Sequence, residues 1–263
     1  MRKKLRSKIV LITGGATGIG RAIAFEFAKR NSIVIINYCK SKESAEYTVN
    51  KIKKMGHKAL KIKADITSED QVTMLFKEVY RKFKHLDLLV NNAGWTKFTE
   101  PKRIERITDG IYQKIVNINF KGTFLCSREA IKIMKKQKKG DIINISSTSG
   151  INGIGSNIIY CAAKAAVINL TKSLAREFGP KIRVNCIAPG FTKTLFIKDI
   201  PQRILNSERK RMPLGRMTLP RDIAETVVSL YESIKFVTGE TIVVDGKNFY
   251  SVLEFKKYFS SMR

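Results

Sequence analysis

The sequence predicts a doubly wound α/β fold, built as one domain on a parallel sheet of seven strands. Three observations predict it. Short β-branched runs alternate with longer amphipathic stretches from end to end of the 263 residues. Most of those runs are apolar at nearly every position, as strands are when helices cover both sheet faces, whereas half-solvated strands alternate. No linker, repeat or low-complexity block interrupts the rhythm, so residues 1–263 read as a single unit.

The first strand is expected at 8–13 (KIVLIT), followed through a glycine-rich turn by a helix near 18–30. Strand two, 32–37 (SIVIIN), leads to a helix near 41–55, and strand three, 58–63 (KALKIK), to one near 69–84. Strand four at 86–90 (LDLLV) precedes a long helix near 110–138. Strand five, 141–146 (DIINIS), precedes a helix at 157–178; strand six, 181–187 (KIRVNCI), one near 221–232; and 241–244 (TIVV) closes the sheet. Each helical stretch is long enough for a crossover. Two segments break the pattern: 95–109 is polar and mixed, and 190–220 carries Pro201, Pro213 and Pro220 among many charges. Both leave from the carboxyl edge of the sheet, where ligands bind in open α/β folds, so they are the expected walls and lid of a pocket.

Apolar residues make up 43% and charged residues 27%, an ordinary globular balance that argues against disorder. Lys and Arg number 50 against 22 Asp and Glu, a net charge of +28. Such a field favours acidic partners and salt-sensitive encounter, although a lysine-rich solvated surface has the same composition. No basic recognition motif or basic–aromatic stripe accompanies it, so nucleic acid is not an expected partner. Cys39, Cys126, Cys161 and Cys186 lie far apart without a C-x-x-C pair, and His57 and His85 are the only histidines. No disulfide framework, metal site or histidine-based triad is indicated. The basic start Met1-Arg-Lys-Lys-Leu-Arg could open a signal peptide, but Ile9–Ile12 behind it is too short for the apolar region of one. No stretch is read as reaching the ~18–20 apolar residues of a membrane span, and a cytoplasmic protein without membrane contact is expected.

The residues that carry chemistry lie at strand ends. Strand one runs into Thr13-Gly14-Gly15-Ala16-Thr17-Gly18-Ile19-Gly20 and then a helix. Glycines there permit a tight turn and close backbone approach to a pyrophosphate, which would rest on the positive end of the helix. Asn91-Asn92-Ala93-Gly94 follows strand four and Ser146-Ser147 strand five; Tyr160-Cys-Ala-Ala-Lys164 lies on the next helix, and Pro189-Gly190 follows strand six. In this combination, with Ser147 standing 13 residues before Tyr160, the chain resembles the short-chain dehydrogenase/reductase family over essentially its whole length. Within that family it is most similar to the 3-oxoacyl-acyl-carrier-protein reductases, down to the ending Thr238-Gly239-Glu240-Thr241 and Val244-Asp245-Gly246. Lys247 stands where the family usually has a second glycine.

The resemblance implies a Rossmann-type fold, with a cofactor half over about 1–140 and a catalytic half over about 141–263. It implies Asn119, Ser147, Tyr160 and Lys164 as the catalytic set. Tyr160 and Lys164 share one helix face. A free tyrosine has a pKa near ~10, and a neighbouring ammonium is expected to lower it towards the working range, making Tyr160 a general acid for a carbonyl oxygen. Ser147 would donate to the same oxygen, with Ser146 and Ser149 as competitors that the spacing disfavours. Asn119 matches the family's asparagine that helps hold a proton-relay water to the lysine, with Asn117 as the neighbouring candidate. Gly14, Gly15, Thr17, Gly18, Ile19 and Gly20 would cradle the cofactor phosphates. Asp65 and Ile66 would meet the adenine, although Asp65 could instead cap the next helix. Asn92, Ala93 and Gly94 would line the adenosine side, and Pro189, Gly190 and Thr192 the nicotinamide side, with Tyr160 and Lys164 also touching the cofactor.

Strand two ends Ile36-Asn37-Tyr38-Cys39-Lys40-Ser41, without the carboxylate that binds a ribose 2′-hydroxyl in NAD enzymes. That turn and Lys40 suit a 2′-phosphate, so NADPH is expected and NAD is the alternative, although Thr17 sits where many NADP-dependent members carry arginine or lysine. An acidic carrier protein is a candidate partner, for which Lys135, Lys136, Lys138, Lys139 and Lys181 form a basic patch; lysines at a helix C-terminus also simply suit its dipole. Trp95 and Phe98 would build an aromatic pocket wall, which favours the alternative of a dehydrogenase for a sugar, polyol or other small secondary alcohol. A homotetramer formed through the helices near 110–138 and 157–178 is the family's implication.

Overall fold

The computed structural model describes residues 7–100, 102–194, 205–206, 209–210 and 212–246. Pro201, Lys247 and the basic tail 248–263 lie outside the described residues. The strands are β1 (Ile9–Ile12), β2 (Ile33–Tyr38), β3 (Ala59–Lys63), β4 (Leu88–Asn91), β5 (Gly140–Ile145), β6 (Ile182–Pro189) and β7 (Thr241–Val244). They form one sheet in the order β3-β2-β1-β4-β5-β6-β7, and every neighbouring pair is parallel. The helices are α1 (Gly18–Lys29), α2 (Lys42–Lys54), α3 (Glu69–Phe83), α4 (Asp109–Val116), α5 (Gly122–Gln137), the short α6 (Ser149–Asn152), α7 (Ile158–Phe178) and α8 (Pro220–Glu232).

The all-apolar strands divide their side chains between two cores. Val10 and Ile12 of β1 join α1 and α8 on one face, where the rings of Phe27 and Tyr231 meet edge to face at 5.6 Å. Ile9 and Leu11 of the same strand join α3 and α5 on the other. Strand order reverses between β1 and β4, which opens a crevice at their carboxyl ends.

Two expectations need correction. The stretch 110–138 is not one regular helix: a π-helical turn, Asn117–Lys121, separates α4 from α5. The helix also ends at Gln137, so Lys138 and Lys139 follow it. Further, α7 has an 18-residue window with a mean hydropathy of 1.3, long and apolar enough by length and composition to cross a membrane. Its place in the fold accounts for that character in part, because Val167, Thr171 and Ala175 are buried on it and it packs along β6.

Candidate active site

One cavity of about 970 Å³ runs along the carboxyl edge of the sheet, from the ends of β2 and β3 to the loops after β4 and β5. The glycine turn forms its floor. Gly14 sits at φ +61°, and a Cβ there would come within 3.0 Å of the Ala93 backbone, so only glycine lets the two loops touch. Asn92 fixes the turn by donating from Nδ2 to the carbonyls of Thr13 (3.0 Å) and Gly14 (3.1 Å). Gly20 is demanded by the same clamp, since a Cβ would lie 2.5 Å from that Nδ2. Thr17 stands at the N-cap of α1, but its hydroxyl makes no capping bond. The first-turn N–H groups of α1 are therefore left to whatever occupies the cavity, a setting suited to phosphate. Thr17, Gly18 and Ile19 line it, whereas Gly15 packs on Ile12 and Ile36 behind the turn.

At the end of the cavity formed by β2 and β3, Lys40 is exposed and lines the wall beside Cys39 and Asp65. Asp65 does not cap α3. Its Oδ1 accepts from the Thr67 N–H (2.9 Å) and hydroxyl (2.8 Å), and Ser68 is the cap. Burial pushes the Cys39 thiol up, and the Asp65 carboxylate to which it hydrogen-bonds adds to that. Asn37 is buried at the cavity edge and donates from Nδ2 to Ala64 O at 3.0 Å, which ties β2 to β3. Ile66 is buried, lines the cavity and sits against Gly122 at the start of α5.

The catalytic candidates converge in the middle of the cavity. Tyr160 and Lys164, one turn apart on α7, are both buried, with the ammonium 5.6 Å from the ring centroid. Lys164 Nζ donates to Ile145 O at 3.0 Å, and burial pushes its pKa down to about 8. The Tyr160 phenol is also moved, but upwards: burial outweighs the hydrogen bond it makes with Ser147. The expected lowering by the lysine is thus not what dominates in the ligand-free fold, because desolvation penalises both charged forms. Of the rival serines, Ser146 is occupied elsewhere and Ser149 supports Ser147 through its backbone. Ser146 Oγ donates to Lys164 O at 2.8 Å, while the Ser149 N–H donates to Ser147 Oγ at 3.1 Å. Thr192 is buried, with its hydroxyl bonded to Gly190 O at 3.0 Å, and Pro189, Gly190 and Thr192 all line the cavity.

Asn119 occupies the π-helical turn and is fully buried. Its Nδ2 donates to Ile115 O (2.9 Å), a carbonyl in the disturbed ladder, and to Trp95 O (2.7 Å). A Cβ on Gly94 would lie 3.0 Å from Asn119 Oδ1 and 3.6 Å from Lys164 Nζ, so the three residues meet at one point. Asn117, two residues before Asn119 in the same turn, lines the cavity.

Three contributors escaped the sequence reading. Asn157 is the N-cap of α7: its Oδ1 accepts from Tyr160 N at 2.8 Å, and its Nδ2 donates to Lys97 O at 2.6 Å. It therefore joins α7 to the loop bearing Trp95 and Phe98, both of which line the cavity. Thr194 lines the cavity and approaches Gly18. Below the site, Asn91 donates to Ser127 and Asn144, and Asn144 to Thr171, a buried polar chain across β4, β5, α5 and α7.

A parallel sheet with a glycine turn after its first strand and a serine, tyrosine and lysine gathered after its fifth describes a dinucleotide-dependent oxidoreductase. Comparison with known proteins agrees. The family profile described as enoyl-(acyl carrier protein) reductase matches residues 14–246. The 3-oxoacyl-[acyl-carrier-protein] reductase of Staphylococcus aureus is 38% identical over 242 residues, covering 91% of this chain and 97% of that one. Its counterpart in Aquifex aeolicus is 35% identical over 251 residues, covering 95% and 100%. The crystal structure of levodione reductase superposes with a TM-score of 0.86 at 30% identity, covering 92% of this chain and 98% of that one. The chain belongs to the short-chain dehydrogenase/reductase family and is an oxidoreductase acting on CH–OH groups.

Proposed function

We propose that this protein reduces 3-oxoacyl thioesters borne by an acyl-carrier protein to 3-hydroxyacyl thioesters, with NADPH as reductant. The observation that carries the reading is the hydrogen-bonded pair of Ser147 and Tyr160 beside buried Lys164, at the inner end of a glycine-cradled cavity. The relatives named for that reaction supply the substrate class. When bound, the reduced nicotinamide supplies a hydride to the carbonyl carbon. Tyr160 holds the proton for the carbonyl oxygen, and its raised pKa keeps it protonated until that oxygen becomes strongly basic. Ser147 donates to the same oxygen as negative charge builds there. Lys164, one turn below, offsets the phenolate left on Tyr160, and Asn119 holds the backbone around them.

The uncapped start of α1 and the Gly14 cradle fit a pyrophosphate. The uncharged end of β2 with Lys40 in the cavity supports NADPH over NADH. Phe124, Ile151 and Ile158 expose apolar side chains on α5, α6 and the start of α7, which supports a homotetramer built on those helices. A cytoplasmic site of action goes with this reading. Trp95 and Phe98 on the cavity wall favour a second reading, dehydrogenation of a small secondary alcohol, and levodione reductase is by name a relative acting on a small molecule.

The test is a substrate panel followed by NADPH absorbance, comparing acetoacetyl thioesters with sugars and simple ketones. Thioesters should be reduced best. Turnover confined to sugars or simple ketones would establish the second reading. Tyr160→Phe should lose roughly 10²–10⁴-fold in rate while still binding NADPH. Near wild-type turnover by that variant would refute the mechanism.

A further inference from the structure

The charged residues that line the cavity fall into separate places. Lys40 and Asp65 stand at the end formed by β2 and β3, Lys164 at the centre and Asp245 beside Gly190. Towards Trp95 and Phe98 the lining is uncharged, with Gln113, Asn117 and Ile154 among it, except for Lys114. Its ammonium lies 3.9 Å from the centroid of the Trp95 ring. Trp95 packs in turn against the cluster of Ile115, Tyr160 and Ala163, so the cation is seated on the wall that adjoins the proposed proton donor.

Lys114 forms no ion pair with any carboxylate among the described residues, and this end of the cavity holds no acidic side chain among them. An aromatic face attracts and orients an ammonium but leaves its charge uncompensated. The indole N–H of Trp95 likewise donates to no group among the described residues, which leaves a second donor on the same wall. Lys114 is exposed, and a cation held against a ring on the cavity wall, with no carboxylate partner among the described residues, is placed to take an oxyanion.

We propose that Lys114 and Trp95 form an anion subsite that reads a carboxylate or phosphate carried by the substrate beyond its reacting carbonyl. This rests on the carbonyl-reductase reading and extends it by naming a charged feature of the substrate. The anionic group comes either from a free oxo acid or from the phosphate of a phosphopantetheine arm.

Trp95 is the single tryptophan of the chain, so its emission reports on this subsite without any turnover. The experiment titrates NADPH-free protein with four probes: acetoacetate, methyl acetoacetate, acetoacetyl-phosphopantetheine and acetoacetyl-pantetheine. At least one anionic probe should shift the emission saturably and bind at least tenfold more tightly than its neutral partner. Lys114→Gln should abolish that advantage and Lys114→Arg should keep it. Whether the carboxylate or the phosphate pair shows the difference identifies the source. The kinetic counterpart is a KM at least tenfold higher in Lys114→Gln for the anionic probe, with kcat and the neutral probe changed less than twofold. Equal affinity for charged and neutral partners, or an advantage that survives in Lys114→Gln, would overturn the proposal. If no carbonyl compound is turned over, the reductase reading falls while the fluorescence result still decides the subsite.

Discussion

Replacing Asn157 by alanine removes two bonds that do different work. The first is the N-cap acceptor of α7, 2.8 Å from Tyr160 N. Loss of such a cap costs about 1 kcal/mol, within a range of roughly 0.5–2. The second is the 2.6 Å donation to Lys97 O, with a longer contact to Thr96 Oγ1 at 3.3 Å. A bond of that kind is worth about 1 kcal/mol net, and more when the abandoned carbonyl stays away from water. Asn157 is only 3% exposed, so water restores little. The sum, about 2–3 kcal/mol, corresponds to a fall in Tm of roughly 5–10 °C for a chain of this size. Chemical denaturation of wild type, Asn157→Ala and Asn157→Asp separates the two parts. Aspartate keeps the cap acceptor and loses the amide donor, so Asn157→Asp should recover the cap share alone. A stability for Asn157→Ala within about 0.5 kcal/mol of wild type, the range of an ordinary surface change, would refute the assignment.

Three further outcomes are expected. Below pH 8 the buried Lys164 carries its proton in the folded and unfolded chains alike, and the folded state bears the whole cost of a pKa reduced from 10.5 to about 8. That cost is about 3 kcal/mol, and it fades as pH rises from about 8 to 10.5, where the unfolded chain binds more protons. Lys164→Met, which also gives up the bond to Ile145 O, should therefore be more stable than wild type by about 2 kcal/mol at pH 7, with the gap narrowing by pH 9.5; a gap independent of pH in urea melts would contradict the burial argument. Lys40→Glu, on an exposed cavity-lining side chain, should lower kcat/KM for NADPH about tenfold or more while sparing NADH, and equal losses on both would remove Lys40 from the 2′-phosphate site. Charge reversal at exposed Lys138 and Lys181 should lower kcat/KM for carrier-bound substrate far more than for a free β-keto ester, with the difference shrinking as salt shortens the Debye length from about 10 Å at 0.1 M to about 3 Å at 1 M; parallel losses would leave that patch without a docking role.

The strands were legible because a parallel strand between helical layers has to be apolar on both faces, as 32–37 is, whereas the half-exposed edge strand 241–244 was legible from its β-branched run. That the glycine turn, Ser147, Tyr160 and Lys164 meet in one cavity was legible from residue types and spacing that resemble the family's. What escaped depends on contacts between segments distant in sequence. Asn157 reads locally as a helix start, and its second role exists only because Lys97 lies opposite it. The end of strand two reads only as uncharged, and the bond that holds the Asn37 amide to Ala64 O joins two strands far apart in sequence. The break at 117–121 left no hydrophobic signature, since it follows from one side chain bonding Ile115 O and Trp95 O together. The direction of the Tyr160 pKa shift was misjudged for a related reason, as spacing reports a neighbouring lysine but not the depth at which both are buried.

The π-helical turn has a consequence for how this chain can change in length. Such a turn holds one residue more than an α-helical turn, and each residue of an α-helix turns the chain by about 100°. Deleting any one residue within Asn117–Lys121 would let the segment relax into continuous α-helix. Because the π-helical turn spreads its extra residue over about the same angle, the flanking helices would keep nearly their present phase, with Ile115 still beside Tyr160 and Lys114 beside Trp95. Gly122 and its seat against Ile66 lie beyond the break and would stay in place. What the shorter turn gives up is the place of Asn119, whose amide bonds Ile115 O and Trp95 O and whose Oδ1 stands beside Gly94. A single-codon deletion here would leave substrate wall and cofactor floor standing and remove the asparagine that joins them.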